Sequence, residues 1–326
     1  MPQIRDVAAA AGVSHQTVSR VLNNSPSVRP DTRRLVLEAM QRLHYRPNRA
    51  ARALGSGRAS AVTVVMSNTT LYGYAGVLQG VEEAGRLTGL TVGVRVAESE
   101  APADIAQAVG YVSDPSAGNV VVVAFDPIGA GVLRALPPDV PVVAATEAGG
   151  LPDVDRPMMF LDERHAATEA TRHLLSLGHR TVHHVAIPSE AAASARQSGW
   201  RDALVEVGAE VPAVVPAGWA MDSAYRAGRR LAEDRTVTAI LCGNDDTALA
   251  VRRALHEVGR DVPGDVSIVG FDDVPGAAYW TPALTTVRMD FVALGRACVA
   301  ALTGESAPLE APRLIVREST APPRRR

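Results

Sequence analysis

Hydrophobic positions at the start of the chain follow the spacing of two short helices. Ile4, Val7, Ala8 and Ala11 share one face of the first predicted helix. Gly12 supplies the bend after it, because glycine tolerates the left-handed backbone that ends a helix. A second apolar stripe follows the bend, formed by Val18, Val21 and Leu22. The pattern predicts a helix, a tight turn and a second helix that packs against the first.

The other face of the second predicted helix is polar. Ser14 is a natural N-cap, and the outward positions are His15, Gln16, Ser19 and Arg20. Their donors and acceptors match base edges and phosphates, which indicates a DNA-reading surface. The alternative is a small amphipathic hairpin whose polar face is only solvated.

A third helix is predicted over residues 31–44, with Pro30 in its first turn. Its apolar side chains would cover the first two helices; they are Leu35, Ala39, Met40 and Leu43. A short Ala-rich and Arg-rich segment follows, from Pro47 to Gly55. Only about two helical turns fit there, too few to be stable alone.

From residue 60 the pattern changes to short apolar runs that alternate with amphipathic stretches. The first series predicts strands at 61–66, 90–96, 120–124, 132–136 and 140–144, with helices near 76–88 and 104–111. The second predicts strands at 181–187, 211–215, 239–242 and 267–271, with helices near 166–177, 199–207, 223–233 and 246–258. This alternation indicates two doubly wound lobes with parallel sheets. Ligands of such lobes bind beyond the carboxyl ends of the strands.

Charge divides the chain in the same way. Residues 1–58 hold ten Arg and three acidic residues, whereas the whole chain has a net charge of −2. A basic N-terminal part joined to an acidic body is typical of a nucleic-acid-binding segment on a globular domain. The chain has no lysine, which excludes P-loop and Schiff-base lysine chemistry.

The length of 326 residues allows two or three domains. We find no apolar run near the length of a membrane span and no signal-peptide pattern, so we expect a cytoplasmic protein without membrane association. Cys242 and Cys298 are far apart and flanked by apolar residues, which favours buried core positions over a disulfide or a metal pair.

The helix-turn-helix of residues 4–24 and the segment Pro-Asn-Arg-Ala-Ala-Arg-Ala-Leu at 47–54 resemble the lactose-repressor (LacI/GalR) family of bacterial transcription regulators. The resemblance extends over essentially the whole chain. It implies an N-terminal all-α helix-turn-helix DNA-binding domain and an α/β core of two doubly wound lobes like those of periplasmic binding proteins. The implied crossovers between the lobes lie near 158–160 and 287–291.

The implied domains are a DNA-binding domain at 1–46, a hinge helix and linker at 47–58, an effector-binding and dimerisation core at 59–321, and a tail at 322–326. Within the core, the N-lobe would take about 59–158 and 290–307, and the C-lobe about 159–289 and 308–321. The tail after Arg317 has no apolar heptads, so we expect no tetramer-forming helix.

The resemblance also implies how DNA is held. Two subunits of a homodimer would place their second helices in successive major grooves of a pseudo-palindromic operator. In this arrangement His15, Gln16 and Arg20 would read bases, while Ser14 and Thr17 would contact phosphates. The hinge helix would begin at Asn48 and enter the minor groove, with Ala51 beside Leu54, which acts as the wedge at a central base step.

For the effector, the resemblance points to residues at the ends of strands and in loops. They are Arg196, Trp219, Asn244, Asp272 and Phe291, with Tyr72, Tyr74 and Trp280 as further candidates. An Arg and a carboxylate bind polar groups directionally, and aromatic rings cover the apolar face of a sugar or a purine. Each could instead be structural: Arg196 could pair with a surface acid, and Asp272 or Asp273 could anchor a turn. Asp245 is predicted to cap the helix that follows it.

These features predict a repressor controlled by a small ligand, most simply a sugar. A purine or nucleoside effector stays open, and Thr146 stands where some sugar-responsive relatives carry an acidic residue. A solute-binding protein and an enzyme are the alternatives from other classes, but the chain has no catalytic motif and we expect no cofactor. His179, His183 and His184 resemble a metal cluster, yet alternation along a strand puts adjacent histidines on opposite faces.

Overall fold

The computed structural model of the protein describes residues 2–22, 25–45, 61–190 and 193–324. The chain divides into two compact units, Met1–Ser60 and Ala61–Arg326. Among the helices of the described ranges, none combines the length and apolar character needed to span a membrane.

The first unit contains three helices around one small core. They are α1 (Ile4–Ala11), α2 (His15–Leu22) and α3 (Pro30–Arg42). Gly12 ends α1 with a φ of 66°, the left-handed conformation that the turn requires. The Ser14 hydroxyl accepts a hydrogen bond from the Thr17 backbone N–H at 3.1 Å and so caps α2. The predicted helix, turn, helix and N-cap are confirmed.

One residue of the predicted core-facing side of α3, Leu35, is wrong, whereas Ala39, Met40 and Leu43 are confirmed. Leu35 is 46% exposed, whereas the neighbouring Val36 is fully buried with Ala39. Val36, Ala39, Met40 and Leu43 have the i, i+3, i+4, i+7 spacing of a single face, and Leu35 lies outside it. Two adjacent apolar residues made the stripe ambiguous, and α3 also ends two residues earlier than predicted.

The second unit begins with a five-stranded parallel sheet, which forms a first lobe. Its strands are β1 (Ala61–Met66), β2 (Thr91–Val96), β3 (Asn119–Ala124), β4 (Val142–Thr146) and β5 (Met158–Met159), in the order β2-β1-β3-β4-β5. Its crossover helices are α4 (Tyr72–Thr88), α5 (Pro102–Val112) and α6 (Pro127–Ala135). Three of the five strands, β1, β3 and β4, are rich in Val and Ala and largely buried, so their sequences are continuous apolar runs.

A second sheet forms the other lobe, with the order β11-β10-β9-β8-β6-β7. Its strands are β6 (His183–Ala186), β7 (Val215–Pro216), β8 (Ala239–Cys242), β9 (Ser267–Asp272), β10 (Thr285–Arg288) and β11 (Arg313–Ile315). Its helices are α7 (Glu163–Ser176), α8 (Ala195–Glu206), α9 (Met221–Glu233) and α10 (Asp245–Glu257). Only β11 runs antiparallel to its neighbour among the described strands. The two lobes confirm the predicted fold class.

Two predicted strands are wrong or mostly wrong. The run at 132–136 lies largely within α6, where Pro127 opens the helix and the Asp126 carboxylate accepts from the Gly129 N–H at 2.9 Å. This start signal outweighs the apolar run that follows it. Of the predicted strand at 211–215, only Val215 is in a strand.

A last helix, α11 (Phe291–Leu302), follows strand β10 of the second lobe but packs against α4 of the first. A Cβ on Gly80 of α4 would overlap the carbonyl oxygen of Val292, and one on Gly295 would overlap that of Val77. Glycine at both positions therefore lets the two helix backbones touch, which fixes α11 to the first lobe.

Candidate functional site

All six predicted effector residues line one cavity between the lobes, here called the ligand cavity. They are Arg196, Trp219, Asn244, Asp272, Phe291 and Tyr72. Asn244 and Asp272 lie at the carboxyl ends of β8 and β9, and Arg196 lies in the first turn of α8. The topology of the lobes thus gathers residues that lie far apart in the sequence.

Arg196 is the central charged group of this cavity, with 7% of its surface exposed. Its guanidinium lies 2.9 Å from a Glu163 carboxylate oxygen and 3.9 Å from one of Asp272. It also donates to the Gly243 carbonyl and lies 4.7 Å above the Phe271 ring. Burial opposes the charged guanidinium, but the carboxylates of Glu163 and Asp272 raise the pKa of Arg196. Arg196 therefore stays a cation whose position is fixed on several sides.

Asp272 sits at a strained backbone position. Its φ is 110°, which a residue with a side chain adopts at a cost of about 1–3 kcal/mol. Burial raises the pKa of Asp272 well above its usual range, although Arg196 opposes the shift. The next residue, Asp273, is instead a structural anchor, because its carboxylate pairs with Arg288 at 2.7 Å and Arg317 at 2.6 Å.

The helix cap after β8 differs from the prediction. Asn244, and not Asp245, caps α10, since its side-chain oxygen accepts from the Thr247 N–H at 2.8 Å. The amide oxygen can accept one further hydrogen bond and the amide nitrogen can donate, so Asn244 offers the cavity both functions. The buried Asp245 accepts from the Thr286 hydroxyl at 2.6 Å and the Val274 N–H at 2.8 Å. Asp245 thus holds the loop after β9 in place.

Aromatic rings form one wall of the ligand cavity. Phe291 meets Tyr72 edge-on at 6.2 Å and Phe125 at 5.9 Å between centroids. Tyr74 meets Trp219 of the other lobe at 6.3 Å. These rings offer apolar faces beside the charged groups, the combination that suits a ring with hydroxyl groups on its edge. Trp280, the remaining candidate, is not among the cavity-lining residues, and Arg252 lies over its ring at 5.7 Å.

The sequence analysis missed two carboxylates of the ligand cavity, Glu147 and Glu163. Glu147 directly follows β4, and Glu163 opens α7. Burial, followed by the charge of Glu163, raises the pKa of Glu147 to about 7. The signal that could have found Glu147 is the one used for Asp272, an acid that directly follows a buried apolar strand.

Contacts across the cleft join the lobes. The Ser189 hydroxyl donates to the Glu147 carboxylate at 2.6 Å, and Arg134 of the first lobe pairs with Glu190 of the second at 2.5 Å. The cavity between the lobes has a volume of about 30 Å³, which suits one or two water molecules. A larger ligand therefore requires the lobes to separate or the lining side chains to turn.

Helix α2 presents the predicted DNA-reading face. Ser14, His15, Gln16 and Arg20 are exposed, and Thr17 is partly exposed. The opposite face of the helix is fixed by the buried Val18 and Val21. Asn48, Ala51 and Leu54 of the predicted hinge lie outside the described residues.

The histidines and cysteines considered above as metal or disulfide candidates are the last residues to place. His184 is buried, donates through Nδ1 to the Leu241 carbonyl at 3.0 Å, and has its pKa lowered to about 4 by burial. Nothing in the described ranges brings three or more His, Cys, Asp or Glu side chains together as a metal site. Cys242 and Cys298 are both free and buried, which confirms them as core residues.

Comparison with known proteins matches both units. Residues 3–48 match the profile of bacterial regulatory proteins of the lacI family, and residues 171–320 match that of a periplasmic binding protein-like domain. The regulator CelR of Thermobifida fusca is 33% identical over 90% of this chain and 89% of its own. The regulator GalR of Escherichia coli (strain K12) is 32% identical over 99% of this chain and 97% of its own.

Solved structures match over nearly the full length. The Lac repressor dimer bound to operator and the anti-inducer ONPF has a TM-score of 0.86 at 26% identity, covering 98% of this chain and 99% of that one. A complex of the regulator CelR with cellobiose has a TM-score of 0.69 at 30% identity, covering 98% of this chain and 100% of that one.

Proposed function

Because the chain belongs to the LacI family of bacterial transcriptional regulators, we propose that it is a repressor whose affinity for operator DNA is set by a sugar bound in the ligand cavity. The observation that carries the ligand half is the convergence of Arg196, Asn244 and Asp272 with aromatic rings on one cavity. A cavity that combines directional polar groups with apolar walls is the usual form of a small-molecule site.

The DNA half rests on α2. Its exposed Gln16 and His15 carry both donors and acceptors for base edges, and Arg20 carries a forked donor that suits guanine. Ser14 and Thr17 lie at the start of the helix, where hydroxyls and backbone N–H groups suit phosphates. The similarity to a Lac repressor dimer bound to operator supports a homodimer on a pseudo-palindromic site.

The choice of a sugar rests on chemistry and on one relative. Arg196 and Asp272 can hold hydroxyl groups in fixed directions, while the faces of Trp219 and Phe291 can cover a pyranose ring. The similar regulator CelR is known in complex with cellobiose.

Ligand and DNA are coupled through the cleft. The contacts of Ser189 with Glu147 and of Arg134 with Glu190 join the lobes. A ligand that alters these contacts favours one arrangement of the lobes over another. Operator affinity changes only as far as the ligand binds these arrangements with different affinity.

The test uses the purified full chain and a pool of random-sequence DNA duplexes. We expect selection to enrich one pseudo-palindrome that binds at least about a thousandfold more tightly than random DNA. Fluorescence anisotropy of the selected duplex with a panel of mono- and disaccharides should then identify a sugar that changes the affinity. The sign of the change distinguishes an inducer from a corepressor.

Matched variants separate the two halves. Gln16→Ala should change which half-site is preferred, whereas Gln41→Ala, an exposed position on α3, should not. Asp272→Asn should abolish the sugar response and keep operator binding, whereas the exposed Asp222→Asn should change neither. A response to nucleobases or nucleosides alone would overturn the sugar assignment, and chemical conversion of the ligand would indicate an enzyme. Failure to enrich any sequence would overturn the DNA-binding proposal itself.

A further inference from the structure

The ligand cavity holds more negative than positive groups. Three carboxylates, those of Glu147, Glu163 and Asp272, share it with one guanidinium, that of Arg196. Arg196 makes ion pairs with Glu163 at 2.9 Å and with Asp272 at 3.9 Å. Glu147 accepts a hydrogen bond from the hydroxyl of Ser189, which carries no charge. One guanidinium therefore serves three carboxyl groups, and its shortest ion pair is with Glu163.

The hydrogen-bonding capacity of the cavity is also unbalanced. One carboxylate oxygen of Glu163 and one of Asp272 are buried without a hydrogen-bond partner. Both residues line the cavity and expose only 5% and 7% of their surfaces. Against these two acceptors, the Arg196 Nε is the one cavity-lining donor among the described residues that is buried and unpaired. A ligand that fits must bring donors and relieve negative charge.

The aromatic wall restricts the shape of such a ligand. Trp219 and Phe291 line the same cavity as the carboxylates and pack against the aromatic rings of Tyr74 and Phe125. A saccharide ring with one cationic substituent satisfies both conditions, because its face can stack on a ring while its hydroxyl and ammonium groups donate to the carboxylates.

We propose that the ligand is an amino sugar whose protonated amino group is held by Glu147, and that sugar phosphates and uronic acids are excluded by the same carboxylates. This inference rests on the proposed ligand-binding function. Burial and the neighbouring charge of Glu163 raise the pKa of Glu147 to about 7, and the positive charge of Arg196 opposes this shift. An ammonium group bound beside Glu147 would lower this pKa again, because a nearby cation favours the ionised carboxylate.

Isothermal titration calorimetry of the wild-type full chain at pH 7 tests the proposal with ligands matched in shape. The monosaccharides are glucosamine, glucose, N-acetylglucosamine and glucose 6-phosphate. The disaccharides are the β-1,4-linked glucosamine dimer, its di-N-acetyl form and cellobiose. We expect each amine to bind at least about tenfold more tightly than its neutral counterpart. The phosphate should bind more weakly than glucose.

Two variants assign the preference to a residue. Glu147→Gln should reduce the preference for each amine over its neutral counterpart from about tenfold to less than about twofold, because glutamine retains the hydrogen-bonding shape and loses the charge. Glu169→Gln, at an exposed position that pairs with Arg172, is the control and should keep the preference.

The ligand comparison needs only the wild-type protein, so it decides the proposal even if Glu147→Gln does not fold. Binding of cellobiose or glucose as tightly as the amines would overturn the amino-sugar inference and leave the sugar-controlled repressor standing. Tighter binding of glucose 6-phosphate would overturn it as well. If no saccharide of the panel binds, both the amino-sugar inference and the sugar assignment are overturned.

Discussion

Arg20 and Arg196 place the same side chain in opposite surroundings. Arg20 is exposed on α2, where its charge is available to a partner outside the molecule. Arg196 is buried and surrounded by Glu163, Asp272 and the Phe271 ring. An exposed charge contributes little to stability and is available to bind a partner. A buried, paired charge affects both the stability of the fold and the properties of the site. The two residues therefore respond differently to the same substitution.

The largest expected difference is in stability. Arg196→Ala should lower the free energy of unfolding of the core by about 3–5 kcal/mol, because it leaves buried carboxylates without their cation. Arg20→Ala should change stability by no more than about 0.5 kcal/mol. Urea unfolding followed by circular dichroism measures both. A loss below about 1 kcal/mol for Arg196→Ala would contradict its role as the compensating charge of the core.

Operator binding should show the reverse order. Arg20→Ala should weaken specific binding by about 1–3 kcal/mol, the range for a lost base contact. Arg34→Ala is the matched control, since Arg34 is exposed on α3 and pairs with Glu38 at 3.6 Å. Anisotropy titrations at fixed salt measure the effect. Equal losses for both variants would indicate that Arg20 acts only through general charge.

The pH dependence sharpens the comparison within the ligand cavity. The pKa of Glu147 is raised from 4.5 to about 7, so the folded state binds a proton that the unfolded state has released between these values. The contribution of Glu147 to stability is therefore greatest below pH 4.5 and falls as the pH rises towards 7. Glu147→Gln should remove this slope and stabilise the core by up to about 3 kcal/mol at pH 7.5, the free energy that corresponds to the difference between the two pKa values.

Unfolding of wild type and Glu147→Gln at several pH values measures this difference. Asp245, with its pKa near 7, and His184, with its pKa near 4, titrate in both proteins and so cancel in the comparison. Glu169→Gln serves as the exposed control. Parallel pH profiles for wild type and Glu147→Gln would show that folding does not change the pKa of Glu147.

The smallest expected effect concerns the cap of α2. Ser14→Ala should lower the stability of the first unit by about 1 kcal/mol, because the Thr17 N–H loses its acceptor. Ser19→Ala, inside the same helix, should not be destabilising, since alanine favours helix interiors. Thermal unfolding of the two variants tests this, and equal losses would mean that the cap contributes nothing specific.

The helix-turn-helix could be predicted because its signals are local. The spacing of Val7, Val18 and Val21 and the cap at Ser14 each depend on residues within a few positions. The two sheets could be predicted for the same reason, from buried apolar runs. The apolar pattern alone gave wrong predictions at two places. At Leu35 and Val36 two adjacent apolar residues fitted the helix face, and in the run at 132–136 the apolar residues follow a helix start.

The ligand cavity was predictable only in part. The resemblance supplied Arg196, Asn244 and Asp272, but it supplied neither Glu163 as the partner of Arg196 nor Glu147 as the contact of Ser189. Those pairings join residues more than thirty positions apart in the sequence. Their charges interact strongly only after folding has removed the surrounding water, and a local sequence pattern does not show which residues will be desolvated together.

The packing of α11 on α4 has a consequence for how the protein is made. The ribosome completes β1 to β5 and the whole of β6 to β10 before α11 emerges, yet the buried face of α4, with Val77 and Val81, is covered by α11. Until α11 is synthesised, the apolar face of α4 in the nascent first lobe stays exposed. Exposed apolar surface favours chaperone binding or aggregation. A premature stop codon before Phe291 would accordingly damage the half of the core that had been synthesised first.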